Sequence, residues 1–125
     1  MNKKNSTDIT PPEWLPEESV KIWERLMPQV LDSGVFTDAD YDPFLQLVIE
    51  TSKYYQLERD IMQEGMVSYH TNKAGETNMV PNPKTRIQKA CFENMHRLQK
   101  QFGLGAGSRK QVPHKKTTGN EFDSF

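Results

Sequence analysis

The sequence predicts a mainly α-helical domain: three helices, a small β-hairpin before the last of them, and disordered termini. Three observations carry that expectation. Apolar residues recur at helical spacing over three stretches, closed or opened by Ser33-Gly34, Glu64-Gly65 and Asn82-Pro83. Two short segments flank the turn-forming Asn72-Lys73-Ala74-Gly75. Residues 1–10 and 113–125 lack periodicity and read as a disordered arm and a flexible tail, which leaves 11–112 as the helical domain.

The first helix follows Pro12-Glu13-Trp14-Leu15-Pro16. Pro16 suits a first turn, where its missing N–H is not needed, and Glu17 and Glu18 answer the positive end of the helix dipole. Val20, Trp23, Met27 and Val30, flanked by Ile22, Leu26 and Leu31, make a wide apolar stripe. Pro28 falls inside it and is expected to kink the helix or split it near Leu26. Thr37 is an N-cap, with Asp38, Asp40 and Asp42 filling the first turns of a second helix that runs to Glu64, about 40 Å. Tyr41, Leu45, Val48, Ser52, Tyr55, Arg59 and Met62 are its expected apolar face, with Phe44, Leu47 and Ile61 beside it. Such a length predicts that part of the helix projects toward a neighbouring subunit.

Gly65 is the natural residue after that helix. Residues 66–70 then pair with 77–80, and a lone two-stranded hairpin must lie on a helix or a partner to be stable. Asn82 caps and Pro83 begins the third helix, whose apolar face is Ile87, Ala90, Cys91, Asn94, Met95, Leu98 and Phe102. Gly103 ends it, with Leu104 placed for a Schellman-type cap. Residues 108–112 are expected to add one helical turn.

At 125 residues and 34% apolar composition, with a mean hydropathy of −0.81, the chain is polar for a single domain. Solvated tails and a core shared with a partner both follow from that balance. The single cysteine, Cys91, excludes an internal disulfide framework and points to a reducing interior. No apolar run approaches the ~18 residues of a membrane span, and no apolar signal core opens the chain. A soluble cytoplasmic protein is expected.

Charge is unevenly spread. Residues 1–83 hold 7 Lys and Arg against 14 Asp and Glu, a balance of −7. Residues 84–116 hold 9 (Lys84, Arg86, Lys89, Arg97, Lys100, Arg109, Lys110, Lys115 and Lys116) against Glu93 alone, a balance of +8. Two readings are open: a nucleic-acid footprint, or helices of opposite charge that complement one another within or between chains.

Nothing in the sequence points to catalysis, a metal or a cofactor. Asp38-x-Asp40-x-Asp42 resembles the opening of a calcium loop, but Pro43 and Ile49 stand where Gly and Glu are needed. His70, His96, His114 and Cys91 share no metal-ligand spacing. Gly103-x-Gly105-x-Gly107 follows a helix instead of a strand, the wrong context for a phosphate loop. Trp14 and Trp23 are of the type that stacks on bases; here Trp23 reads as core and Trp14 as a staple at the helix entry. The acidic, aromatic stretch Gly119-Asn120-Glu121-Phe122-Asp123-Ser124-Phe125 is a candidate docking motif through Phe122 and Phe125.

The ordered marks resemble those of the phage terminase small subunits. They are Pro12-Glu13-Trp14-Leu15, Trp23-x-x-Leu26-x-Pro28-x-Val30-Leu31, Gly34-Val35-Phe36-Thr37-x-x-Asp40, Tyr54-Tyr55, Gly65, the Gly75 turn, Asn82-Pro83, and Phe102-Gly103-Leu104 with Ser108-Arg109. The likeness covers about residues 11–112. It departs from the family where Gly105-Ala106-Gly107 replaces a Thr-Pro-like pair. The resemblance implies a non-catalytic homo-oligomeric ring that binds double-stranded viral DNA in the host cytoplasm and regulates the large ATPase-nuclease subunit. A ring would also multiply weak phosphate contacts. On this reading Arg86, Lys89, Arg97, Lys100, Arg109 and Lys110 meet phosphates, with Lys115 and Lys116 as a flexible basic arm. The alternatives are a dimeric helical DNA-binding transcriptional regulator, disfavoured because no short helix-turn-helix link is evident, and an assembly adaptor without DNA contact.

Overall fold

A computed structural model of the chain describes residues 9–34 and 36–105. Its elements are α1 (Glu17–Ser33), a 3₁₀ turn (Asp38–Asp40), α2 (Tyr41–Glu64), β1 (Val67–Thr71), β2 (Thr77–Pro81) and α3 (Pro83–Gln101). The mainly helical class and the hairpin before the last helix are as the sequence predicts. Residues 109, 110, 115, 116, 122 and 125, and the helical turn expected at 108–112, lie outside the described residues.

α1 begins at Glu17, with Pro16 at the cap position in extended backbone. It runs through Pro28 without a break, so the split expected near Leu26 does not occur. Pro28 is exposed, and water can serve the carbonyl that its ring leaves without a donor. Before the helix, a turn closed by the Leu15 N–H on the Pro12 carbonyl (3.1 Å) buries Leu15 and leaves Trp14 66% exposed. The turn thus aims Leu15 inward, and the staple expected of Trp14 falls to its neighbour. Ile9 is buried as well, and the Tyr41 hydroxyl donates to the Thr10 carbonyl (2.8 Å), tying this entry segment to α2.

The 3₁₀ turn that leads into α2 opens on a capping box between Thr37 and Asp40. The Asp40 carboxylate accepts from the Thr37 N–H (2.9 Å) and from the Thr37 hydroxyl (3.1 Å). Beyond it, two faces of α2 are used. One meets α1: Ser52 meets Ser19 (3.0 Å), Arg59 donates to both carboxylate oxygens of Glu18 (3.0 Å), and Tyr41 packs edge-on to Trp23. The other meets α3: Phe44 lies against Phe102, Tyr54 against Phe92, Gln88 donates to Glu58, and Lys84 reaches Asp60 and Glu64. Rising numbers on α1 and α3 thus meet falling numbers on α2, an antiparallel arrangement on both sides.

The buried residues of α2 are Phe44, Leu47, Val48, Glu50, Thr51 and Ile61. The apolar face is therefore centred on the α3 side instead of on the row from Tyr41 to Met62. Tyr55 is 40% exposed beside α1, and Met62 is exposed because α1 starts level with Arg59 and no described element covers the row beyond it. Trp23, Met27, Phe44, Leu47 and Val48 form the centre of the core. Phe44 contacts Trp23, Phe36 and Phe102, each edge-on at ring-centroid distances of 4.8–6.0 Å.

Gly65 (φ +90°) ends α2, its N–H on the Ile61 carbonyl (2.7 Å). The strands then pair antiparallel, Val67 with Pro81 through Thr71 with Thr77. Asn72 closes the turn, its side-chain oxygen accepting from the N–H groups of Ala74 and Glu76. Every strand residue but Ser68 is exposed, so no described helix covers the hairpin. Its root is held by Asn82, 3% exposed. The Asn82 N–H bonds the Met66 carbonyl, its amide donates to Gly65 and Glu64, and its side-chain oxygen caps Lys84.

α3 ends in the expected motif. The Leu104 N–H reaches the Gln99 carbonyl (2.8 Å) and the Gly103 N–H that of Lys100 (3.1 Å), with Gly103 at φ +71°. Cys91, Met95 and Leu98 are buried and Phe102 is half-buried, but Ile87 and Ala90 are exposed. They lie toward the end of the α2–α3 pair that α1 does not reach.

Phe44→Ala should lower unfolding free energy by about 3–5 kcal/mol, the usual range for deleting a buried phenyl ring, in urea denaturation followed by circular dichroism. The Lys84 ion pairs predict a pH dependence. Hydrogen bonds from Lys84 hold Asp60 and Glu64 below their ordinary values of 3.8 and 4.5. Depressed carboxylates stabilise the fold above those values and lose that contribution as pH falls through their folded-state pKa. Lys84→Met should therefore lower Tm modestly at pH 7, with the gap from the parent narrowing as pH drops below 4.5, read in thermal melts.

Candidate nucleic-acid interface

Two of the charge patterns in the sequence separate in three dimensions. Lys84, in the first turn of α3, turns back onto α2 and bonds Asp60 (3.2 Å) and Glu64 (2.6 Å). Those carboxylates hold the Lys84 ammonium above its ordinary 10.5, Glu64 contributing most. Complementary charge between helices thus exists within the chain, and it engages Lys84.

The other cations of α3 do not share that role. At about 100° per residue, Arg86, Lys89, Arg97 and Lys100 fall within an arc of about 80°. Cys91, Met95 and Leu98 occupy the opposite side and face α2. The four cations are exposed, and none forms an ion pair with another described residue. The row spans about 21 Å from Arg86 to Lys100 at 1.5 Å per residue. Glu93 lies within it, four residues from Lys89 and four from Arg97. A solvent-facing cationic row of this length suits successive phosphates, which are recognised by charge with little demand on side-chain geometry. The structure thus brings together Arg86, Lys89, Arg97 and Lys100; it says nothing of Arg109, Lys110, Lys115 and Lys116.

An aromatic border beside this row escaped the reading of the sequence. Phe92, half exposed, stacks on His96 (6.1 Å, 7° between planes) and leans on Tyr54 of α2 (6.0 Å). The i, i+4 spacing of Phe92 and His96 on one helix was the available signal.

Between α2 and α3, Glu50 is buried. Its Oε1 accepts from Gln46 (2.8 Å) and lies 3.5 Å from the Lys53 ammonium, while Oε2 has no hydrogen-bond partner among the described residues. Burial, then the facing Glu50 carboxylate, pushes the Cys91 thiol above its ordinary range. That makes Cys91 a packing residue in place of a reactive thiolate. Among the described residues no group of three His, Cys, Asp or Glu is placed to hold a metal ion. Asp40 of the acidic run serves Thr37 instead. No described helix is long and apolar enough to cross a membrane.

The family model described as "Phage terminase, small subunit" matches residues 20–118, a stretch that includes most of α1 and all of α2, the hairpin and α3. No curated protein and no solved structure gives a significant match. That match covers well over half of the chain, and the chain belongs to the phage terminase small-subunit family.

Proposed function

We propose that this chain is the non-catalytic DNA-recognising component of a phage packaging machine, acting as a homo-oligomer in the host cytoplasm. It holds double-stranded viral DNA through the outer face of α3 and recruits and regulates the large ATPase-nuclease subunit. The observation that carries this reading is the row Arg86, Lys89, Arg97 and Lys100, exposed and in no ion pair with a described carboxylate. Arg109, Lys110, Lys115 and Lys116 extend the same basic run along the sequence, and Phe122 and Phe125 are proposed docking residues. The row carries at most a few phosphate contacts per chain, so useful affinity needs several copies.

Homo-oligomerisation has its own support in the hairpin. Opposed residues share a face, so Val67, Tyr69, Met79 and Pro81 stand together on one side of it. Tyr69 is 71% and Met79 65% exposed. A two-stranded sheet with an uncovered apolar face is marginal in water, and a ring of such chains would cover it.

The dimeric-regulator alternative expects two helices joined by a tight turn with the second free to enter a groove. Here α2 is held on one side by α1 and on the other by α3, while α3 keeps an exposed row of cations.

Lys89→Glu with Lys100→Glu should weaken binding to duplex DNA at least tenfold near 50 mM salt. It should also flatten the slope of log K against log salt by about 2 for each engaged subunit, measured by fluorescence anisotropy. An unchanged slope removes α3 from the interface. Separately, Tyr69→Asp with Met79→Asp should reduce the mass seen by light scattering on a sizing column while leaving helix content intact. An assembly of unchanged mass would take the hairpin out of the subunit contact.

A further inference from the structure

The cleft between α1 and α2 is a second polar site that the DNA reading does not use. It is an open cleft of about 300 Å³ lined by Glu18, Lys21, Ile22, Arg25, Tyr55 and Arg59. Its chemistry is mixed in a specific way. Ile22 is buried in its floor and the Tyr55 ring is 40% exposed, so it has an apolar surface of aromatic size. Three cations surround that surface. Arg59 is taken by Glu18 and Gln56, and Lys21 approaches Glu17 only at 4.0 Å across exposed side chains. Arg25 has no carboxylate partner among the described residues. A ring with a carboxylate beside it is the ligand such a cleft fits: the ring lies against Tyr55 and the carboxylate on Arg25.

We propose that the occupant is this chain's own segment Glu121-Phe122-Asp123-Ser124-Phe125. Charge complementarity argues for it. The segment places an acid on each side of Phe122, whereas the stretch from 84 to 116 has Glu93 as its one acid. Reach argues for it as well. Phe102 packs on Phe44, and Tyr55 lies 11 residues further along α2, about 17 Å away. Residues 106–121 supply up to about 55 Å of contour from Gly105, ample for that path. The proposal rests on the docking role given to Phe122 and Phe125, and it does not depend on DNA binding.

The test is proteolysis of the full chain by chymotrypsin, with release of Asp123–Phe125 followed by mass spectrometry and a free peptide of residues 117–125 as the reference. Docking should slow cleavage after Phe122 at least about tenfold relative to the peptide, since cleavage follows the undocked fraction. Arg25→Glu, on an exposed helix position, should return the rate to that of the peptide. Arg25→Glu combined with Asp123→Arg should slow it again. Cleavage of the parent chain at the peptide's rate overturns the proposal. So does protection that survives Arg25→Glu, which would put the segment on another surface.

Discussion

The fold depends on the ring of Phe44. It is fully buried, with Trp23 of α1, Phe36 of the α1–α2 link and Phe102 at the end of α3 each set edge-on around it. Four segments therefore share one aromatic cluster, and edge-on packing fixes their orientation more tightly than aliphatic contact would. The remaining core is arranged about this point. Leu47 and Val48 continue it one turn further along α2, Met27 closes it from α1, and Leu98 from α3.

A core placed at the first half of α2 leaves the end of that helix with one described helical neighbour instead of two. Past Arg59 the α2–α3 pair has no other described helix beside it, and polar ties join the buried Ile61 in holding it. Lys84 bridges Asp60 and Glu64, Gln88 holds Glu58, and Asn82 joins the end of α2, the first strand and the start of α3. The same geometry exposes Met62, Ile87 and the hairpin face. One end of the molecule is thus a compact three-helix core and the other a polar stalk with an apolar tip. Apolar composition of 34% is accounted for by that division: the chain has enough apolar side chains for one core and leaves others uncovered.

What the sequence disclosed and what it hid divide along physical lines. Ends of elements are set by local chemistry, so Gly65, Asn82-Pro83 and Gly103-Leu104 were legible and each does what its residue type implies. Facing is set by the partners of a helix, and those are tertiary. The row Tyr41 to Met62 and the row Phe44 to Ile61 are both apolar, and only the placement of α1 and α3 decides where each is buried. Trp14 and Leu15 are adjacent apolar residues, and the hydrogen bond from Leu15 to Pro12 selects the smaller one. For the candidate interface, the basic character of residues 84–116 was legible. The division of labour within it was not, since Lys84 and Lys89 differ only in helical phase, by about 140° at 100° per residue.

That division bears on why the row on α3 exists. A helix arranged for stability alone carries acids in its first turn, where the dipole is positive. α3 carries Lys84 and Arg86 there and no acid. For Lys84 the mismatch is offset by Asp60 and Glu64; for Arg86 nothing among the described residues offsets it. Further along, Arg86 with Lys89 and Arg97 with Lys100 are like-charge pairs at i, i+3, each costing about 0.2–0.5 kcal/mol, and Glu93 relieves Lys89 and Arg97 alone. Local choices that oppose the fold without a compensating contact are where selection for something other than stability is expected. Here all of them sit on one solvent-facing arc, and an anionic partner on that arc would reverse the sign of every one.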